Sequence, residues 1–85
     1  MIKVVFFARL RELMAIEQLS FDLAKDESVT VENVLHTLAA QYPVLNDYIS
    51  QGHLIMIAVN QQTADLEMIL NSGDELAFFP PVTGG

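Results

Sequence analysis

The chain has 85 residues, enough for one small domain, and its 52% of hydrophobic residues against 18% of charged ones exclude an intrinsically disordered protein. It contains no cysteine, which excludes a disulfide framework, a thiolate metal site and a cysteine nucleophile. Eleven acidic residues against four basic ones give a net charge of −7, and no Lys or Arg follows Lys25, so binding to nucleic acid or to a membrane surface is disfavoured.

This acidity has two interpretations. A partner with a basic docking face would be attracted and steered by it, or it serves only to keep a small protein soluble. No apolar stretch approaches the ~20 residues that a membrane span needs, because Arg9 and Arg11 interrupt the apolar opening of the chain. We therefore expect a soluble, cytoplasmic protein.

The first half of the chain predicts two strands and a main helix. Residues 2–8 are rich in Val, Ile and Phe and predict a first strand, and residues 9–14 predict a short helix or turn. The alternation from Gln18 to Leu23 predicts a half-buried strand paired with the first. Thr30 is a good N-cap for a helix with apolar side chains at helical spacing, which Pro43 ends.

The second half predicts two further strands. Residues 44–50 predict another short helical turn, and the continuous apolar run from Leu54 to Val59 predicts a central strand buried on both faces. Asn60-Gln61 predicts a turn, whereas residues 62–70 carry no pattern that places them. A final strand is expected from Glu75 to Phe79.

The predicted order is β, β, α, β, β. A right-handed crossover through the helix places the first and last strands side by side and parallel, in the middle of a mixed sheet. With one main helix packed on one face of that sheet, residues 1–79 are expected to form a single α+β domain of the β-grasp (ubiquitin-like) type.

Side-chain parity predicts an exposed apolar patch on this sheet. In the first strand, Lys3, Val5, Phe7 and Arg9 share one face, and the charged ends mark that face as exposed. Phe79 lies on the exposed face of the last strand. We therefore expect Phe7 and Phe79 to point outward on neighbouring strands as a docking patch, unless a loop or a β-bulge covers them.

The last six residues are expected to form an extended tail. They are Pro80, Pro81, Val82, Thr83, Gly84 and Gly85. The two prolines stiffen its base, and six extended residues could reach about 20 Å from the domain. The final glycines have no side chains, so the tip could enter a narrow channel. The Gly85 carboxylate, once joined to AMP, could react with a sulfur nucleophile; the alternative is a frayed terminus without function.

The C-terminal octet from Phe78 to Gly85 resembles that of the molybdopterin synthase small subunits, the MoaD family. The opening from Ile2 to Ala8, followed by Arg11-Glu12-Leu13, is similar to the opening of that family. Three further segments match its pattern: Thr30-Val31, Ala58-Val59-Asn60-Gln61 and Gly73-Asp74-Glu75.

The resemblance implies a ubiquitin-like sulfur carrier. An E1-like enzyme would adenylate Gly85 with ATP and magnesium, and a sulfurtransferase would supply the sulfur of a C-terminal thiocarboxylate. The tail would then enter the active site of the synthase large subunit, in a heterotetramer, and pass sulfur to cyclic pyranopterin monophosphate to form the molybdopterin dithiolene. This chain would be the non-catalytic, sulfur-donating subunit and would bind no cofactor or metal itself.

The resemblance also assigns roles to single residues. Gly85 carries the chemistry, Gly84 keeps the tip slim, and the preceding tail residues are inserted with it. Phe7 and Phe79 match positions of the hydrophobic contact face of the family, and Val5 and Arg11 are expected at the partner interface beside them. Thr63 falls where some members carry an apolar contact residue, so the details of the contact are expected to differ.

Three alternative functions remain. A sulfur carrier for thiamine synthesis or tRNA thiolation shares the fold and the Gly-Gly end, although the Phe-Pro-Pro-Val-Thr sequence before the glycines argues against it. A ubiquitin-like modifier joined to lysines shares the activation chemistry. An interaction module needs no tail chemistry at all.

His36 and His53 are interpreted as surface histidines rather than as catalytic groups.

Overall fold

The computed structural model describes residues 1–22 and 29–81, and within these ranges ten elements follow one another along the chain. In order they are β1 (Ile2–Phe6), α1 (Ala8–Met14), β2 (Gln18–Phe21), β3 (Val29–Thr30), α2 (Val31–Gln41), α3 (Pro43–Ser50), β4 (Met56–Val59), β5 (Gln62–Thr63), β6 (Ile69–Leu70) and β7 (Glu75–Phe79). Leu23, the expected end of the second strand, lies outside the described residues. Within them no helix has the length and apolarity to cross a bilayer.

The main sheet has the strand order β2-β1-β7-β4-β5. β1 runs parallel to β7 and antiparallel to β2, whereas β4 runs antiparallel to both β7 and β5. The predicted parallel pairing of the first and last long strands is therefore confirmed. β7 is the central strand of the sheet, so the residues that follow it leave from the middle of the molecule and not from an edge. A separate two-stranded sheet pairs β3 with β6.

One face of the main sheet packs against the helices. The buried side chains of β1 and β7 on this face are Ile2, Val4, Phe6, Leu76 and Phe78. The register places Phe6 beside Phe78, and their rings stack with centroids 6.0 Å apart. The helices contribute buried aliphatic side chains to the same core: Val31, Val34, Leu38 and Leu45. Side-chain parity in the first strand also predicts an inner face of Ile2, Val4, Phe6 and Ala8; the first three are buried, whereas Ala8 is exposed at the start of α1.

The start of α2 is fixed by a reciprocal pair of hydrogen bonds. The Asn33 N–H donates to Thr30 Oγ1 over 3.2 Å, and the Thr30 N–H donates to Asn33 Oδ1 over 3.1 Å. This capping box satisfies two backbone donors at the helix start. The predicted N-cap at Thr30 is confirmed, and α2 ends at Gln41, two residues before Pro43, which begins α3.

β1 is shorter than predicted. The strand ends at Phe6, because Ala8 has a φ of 52° and the chain turns there into α1. The expected helix or turn over residues 9–14 is thus a helix that begins one residue earlier.

β4 differs from the strand predicted over Leu54 to Val59. The strand begins only at Met56, and Leu54 is 71% exposed in the preceding loop. Burial on both faces was also a wrong prediction, because helices cover only one face of the sheet. Ile57 and Val59 point to the core, whereas Met56 on the other face is exposed.

Residues 60–70 form a hairpin turn and two short strands. Asn60 and Gln61 have positive φ values of 51° and 69°, as a tight hairpin requires, and they connect β4 to β5. The segment before β6 then reaches the start of α2. The Glu32 N–H donates to the Leu66 carbonyl oxygen and the Val31 N–H to that of Met68, each over 3.0 Å.

Candidate docking face and tail base

The outer face of the sheet, opposite the helices, carries a row of small and apolar side chains. The register aligns Gln18, Val5, Ala77, Ala58 and Thr63 across the five strands. Val5 was predicted to be exposed, and this prediction was wrong, since Val5 is only 9% exposed. Gln18 and Ala77 flank it on the two adjacent strands, and within this row Gln18 and Thr63, on the edge strands, are the exposed residues.

Phe7 lies at the end of the outer face nearest the tail. Its N–H donates to the Phe78 carbonyl oxygen over 3.1 Å, which continues the β1–β7 ladder by one residue. Its carbonyl oxygen accepts the Leu10 N–H over 3.1 Å, at the start of α1. The backbone of Phe7 is therefore held from both sides while its side chain is 46% exposed. The predicted outward orientation is confirmed.

Phe79 and Met56 extend this exposed apolar surface. Phe79 is the last residue of β7 and is half-buried, and the register pairs it with Met56 of β4, which is exposed. We call Phe7, Met56 and Phe79 the apolar patch. Met56 was not among the predicted interface residues, because the apolar run around it predicts a strand buried on both faces. The sequence of β4, Met-Ile-Ala-Val, is apolar at every position, so it carries no alternation that would have marked Met56 as exposed.

Two further residues considered for the interface are exposed. Arg11 lies on α1, one helical turn after Phe7. Thr63 lies on the edge strand β5, where it pairs with Ala58. Both side chains are therefore accessible to a partner.

The tail base begins directly after β7. Pro80 and Pro81 are half-buried and lie outside the sheet ladder, which agrees with the predicted end of strand pairing at this point. Val82, Thr83, Gly84 and Gly85 lie outside the described residues, so their expected roles in the tail stay predictions. Because the tail base follows the central strand, it emerges beside the apolar patch.

The opposite end of β7 is anchored by a polar network. The Asn71 N–H donates to Asp74 Oδ2 over 2.8 Å, and Asn60 Nδ2 donates to Asp74 Oδ1 over 3.0 Å. Both bonds stabilise the carboxylate, the one from Asn71 more than the one from Asn60, and so they lower the pKa of Asp74. Partial burial acts in the opposite direction, but its effect on the pKa is smaller. The Glu75 N–H donates to Asn60 Oδ1 over 3.0 Å, which ties the hairpin turn to the start of β7.

Neither histidine belongs to a catalytic arrangement in the described part of the chain. Both are exposed, as the sequence analysis predicted, and His53 stacks on Tyr48 with ring centroids 4.6 Å apart. Among residues 1–22 and 29–81, no three His, Asp or Glu side chains are grouped so that they could hold a metal ion.

Comparison with known proteins identifies the family. The family model described as the ThiS family matches residues 4–85. The molybdopterin synthase sulfur carrier subunit of Escherichia coli (strain K12) is 44% identical over 85 residues, which cover the whole of both chains. That of Haemophilus influenzae is 39% identical, again over the whole of both chains.

A solved structure shows the same fold. The crystal structure of SAMP1 from Haloferax volcanii has a TM-score of 0.81 and 32% identity, and the match covers 99% of this chain and 98% of that one. The strand order and the helical layer described above are the β-grasp arrangement that the sequence predicted. The chain therefore belongs to the ThiS family, in which it groups with the molybdopterin synthase sulfur carrier subunits and shares the ubiquitin-like β-grasp fold.

Proposed function

We propose that this chain is the sulfur carrier subunit of a molybdopterin synthase and that the Gly85 carboxylate carries the sulfur. The observation that carries the proposal is the 44% identity to the Escherichia coli sulfur carrier subunit, which extends over the whole of both chains and so includes the tail. The emergence of the tail base beside the apolar patch supports it, because an exposed apolar surface at the root of a reactive tail can hold a partner while the tip enters its active site.

The activation step belongs to an E1-like partner that uses ATP and magnesium. A carboxylate oxygen of Gly85 attacks the α-phosphorus of ATP, pyrophosphate leaves, and a glycyl adenylate forms. A sulfur nucleophile at the oxidation level of sulfide, delivered by a sulfurtransferase, then displaces AMP. AMP leaves with one former carboxylate oxygen, so Gly85 becomes a thiocarboxylate with no net oxidation or reduction.

The transfer step belongs to the active site of the large subunit. The thiocarboxylate sulfur attacks an electrophilic carbon of cyclic pyranopterin monophosphate and displaces an oxygen substituent, so that a thioester joins Gly85 to the pterin. Water hydrolyses this thioester, the new C–S bond remains on the pterin, and Gly85 returns as a carboxylate. A second charged carrier repeats the transfer and completes the dithiolene of molybdopterin.

The large subunit is the partner that we assign to the apolar patch. A solved complex of subunits 1 and 2 of molybdopterin-converting factor from Helicobacter pylori contains a chain of the same fold, with a TM-score of 0.68 and 21% identity. Phe7 suits this role because its backbone is fixed by hydrogen bonds on both sides, so little conformational entropy is lost when its exposed ring is buried.

Removal of Gly84 and Gly85 tests this proposal. In a reaction with the large subunit, the activating enzyme, ATP, a sulfur source and the pterin precursor, the truncated chain should support no molybdopterin formation. Its thermal unfolding and its binding to the large subunit should match those of the full chain, since β7 and the patch are intact. Molybdopterin formation by the truncated chain would contradict the proposal.

A ubiquitin-like modifier is the second candidate function, because SAMP1 of Haloferax volcanii, named a small archaeal modifier protein, is 32% identical in the solved structure. The two functions differ in the group that accepts the activated carboxyl. A modifier forms an isopeptide bond to a lysine and keeps no sulfur. Incubation with the activating enzyme, ATP and a sulfur source, with and without an acceptor protein, separates a thiocarboxylated product from a conjugate by mass.

A further inference from the structure

A groove opens on the helical side of the molecule. It has a volume of about 410 Å³, and α2, α3 and the segment before β6 form it. Five apolar side chains line it, Leu35, Ala39, Ala40, Ile49 and Leu66. A groove of this size is in the range of sites that bind small ligands or a few side chains of another protein.

The groove lies away from the apolar patch. α2 buries Val31, Val34 and Leu38 against the sheet, and Leu35 and Ala39 occupy other positions of the same helix, where they are half-buried. The groove is therefore on the solvent side of the helical layer, whereas the apolar patch lies on the far face of the sheet. A partner on one surface leaves the other accessible.

The segment before β6 contributes an exposed apolar side chain to the groove. Leu66 lines it and is 38% exposed, and Met68, two residues later in the chain, is exposed too. Hydrogen bonds from the Val31 and Glu32 N–H groups hold the backbone of this segment in place. The apolar surface is thus presented on a fixed backbone, as it is at protein interfaces.

Among residues 1–22 and 29–81, the carboxylates identified at the groove are joined by no Lys or Arg in its lining, whose other titratable side chain is His36. Glu32 lines the groove, and Asp65 and Glu67 flank Leu66 in the sequence and are exposed. The chain contains no Lys or Arg after Lys25, so none of the residues that line the groove is a lysine or an arginine. An acidic rim around an apolar floor attracts a cationic, apolar ligand and repels phosphate groups of nucleic acids and anionic lipids.

We propose that this groove docks a short segment of a partner protein that presents one or two apolar side chains flanked by Lys or Arg. The apolar side chains contact Leu35, Ala39, Ile49 and Leu66, and the cationic group lies against Glu32. The groove acts independently of the tail chemistry and of the apolar patch, so the carrier can be held by one partner while the tail is engaged by another.

A peptide titration of the full, isotope-labelled chain tests this inference. The probe is a helical peptide with leucines on one side and arginines flanking them, and a second peptide carries glutamate in place of every arginine. The arginine peptide should shift the amide resonances of α2, α3 and residues 64–68, more weakly as salt is added, and the Phe7→Ala variant should bind it equally well. The glutamate peptide should not bind.

Matched variants locate the binding site. Ala39→Arg places a cation in the groove and should weaken peptide binding about tenfold or more, whereas Ser50→Arg makes the same charge change outside the groove and should leave affinity within about twofold. Should Ala39→Arg fail to fold, Glu32→Gln and Asp47→Asn provide a second pair, of which only the first should weaken binding. Equal effects within the tested pair, or equal binding of both peptides, would overturn the inference.

Discussion

Asp74 connects three segments at the start of the central strand. Its two carboxylate oxygens accept hydrogen bonds from the Asn71 N–H and from Asn60 Nδ2, and its own carbonyl oxygen accepts the Lys3 N–H over 3.0 Å. Asp74→Asn puts an amide NH2 opposite one of these donors. We expect the free energy of unfolding to fall by about 1–2 kcal/mol, measured by urea denaturation.

Asp47→Asn is the matched control for this substitution. Asp47 is exposed on α3, so the same loss of one negative charge there should change the free energy of unfolding by less than about 0.5 kcal/mol. If both variants lose equal stability, the effect comes from net charge and not from the hydrogen bonds of Asp74.

The lowered pKa of Asp74 predicts a dependence of stability on pH. The folded state holds this pKa below its usual value near 3.8, so the unfolded state takes up the proton first as the pH falls. The ionised Asp74 therefore contributes its full stabilisation of the folded state above the unfolded-state pKa of 3.8. This contribution is lost as the pH falls through the lower pKa that Asp74 has in the folded state. The difference in stability between the wild type and Asp74→Asn, followed by urea denaturation from pH 6 downward, should therefore shrink only below about pH 4. A constant difference at all pH values would contradict this assignment.

At the scale of single elements, α2 depends on its capping box. Thr30→Ala removes the Oγ1 that accepts the Asn33 N–H, and should lower the free energy of unfolding by about 1 kcal/mol in thermal or urea denaturation. Thr37→Ala is the control within the same helix. The Thr37 hydroxyl donates to the Asn33 carbonyl oxygen four residues earlier. A hydrogen bond of this kind does not stabilise a helix, and Ala has the higher helix propensity, so Thr37→Ala should be neutral or slightly stabilising. An equal loss in both variants would argue against the cap.

Strong local patterns predicted the long elements. The apolar runs of β1 and β7 and the Thr30 cap led to elements with nearly the observed bounds and to the parallel central pair. β5 and β6 have two residues each and exist only through their pairing with β4 and β3, so no local pattern indicates them. The burial of Val5 likewise results from neighbours across the sheet, which are distant in sequence.

The site was predictable to a similar extent. Parity alone placed Phe7 outward and Phe79 beside it, because alternation along a strand is a local property. Met56 was missed, since its exposure depends on helices covering only one face of the sheet. The groove on the helical side was also missed, because residues from α2, α3 and the segment before β6 meet only in three dimensions.

The molecule carries its two candidate binding surfaces, the apolar patch and the groove, on opposite sides. The outer sheet face carries the apolar patch, the Lys3–Glu75 ion pair (3.6 Å) and the tail base, and the helical side carries the acidic groove. Because the tail base, Pro80 and Pro81, follows the central strand, we expect a partner that binds the patch to receive the tail as well. This arrangement lets docking and chemistry be tested by separate substitutions.

Phe7→Ala tests docking without touching the tail. The Phe7 side chain is exposed, so its removal should leave thermal unfolding nearly unchanged and weaken the complex with the synthase large subunit about tenfold or more, measured by calorimetry. Met68→Ala removes a side chain of similar exposure on the helical side and should leave that affinity unchanged. If Met68→Ala weakens the complex and Phe7→Ala does not, the large subunit binds the other surface.

Whether Gly85 carries sulfur can be read from the intact mass of the chain after incubation with an E1-like activating enzyme, ATP, magnesium and a sulfur source. We predict replacement of one oxygen by sulfur, located in the C-terminal peptide and absent from a chain that lacks Gly85. An unchanged mass, with an enzyme shown to be active on another carrier, would contradict this role of Gly85 and leave the tail without sulfur chemistry.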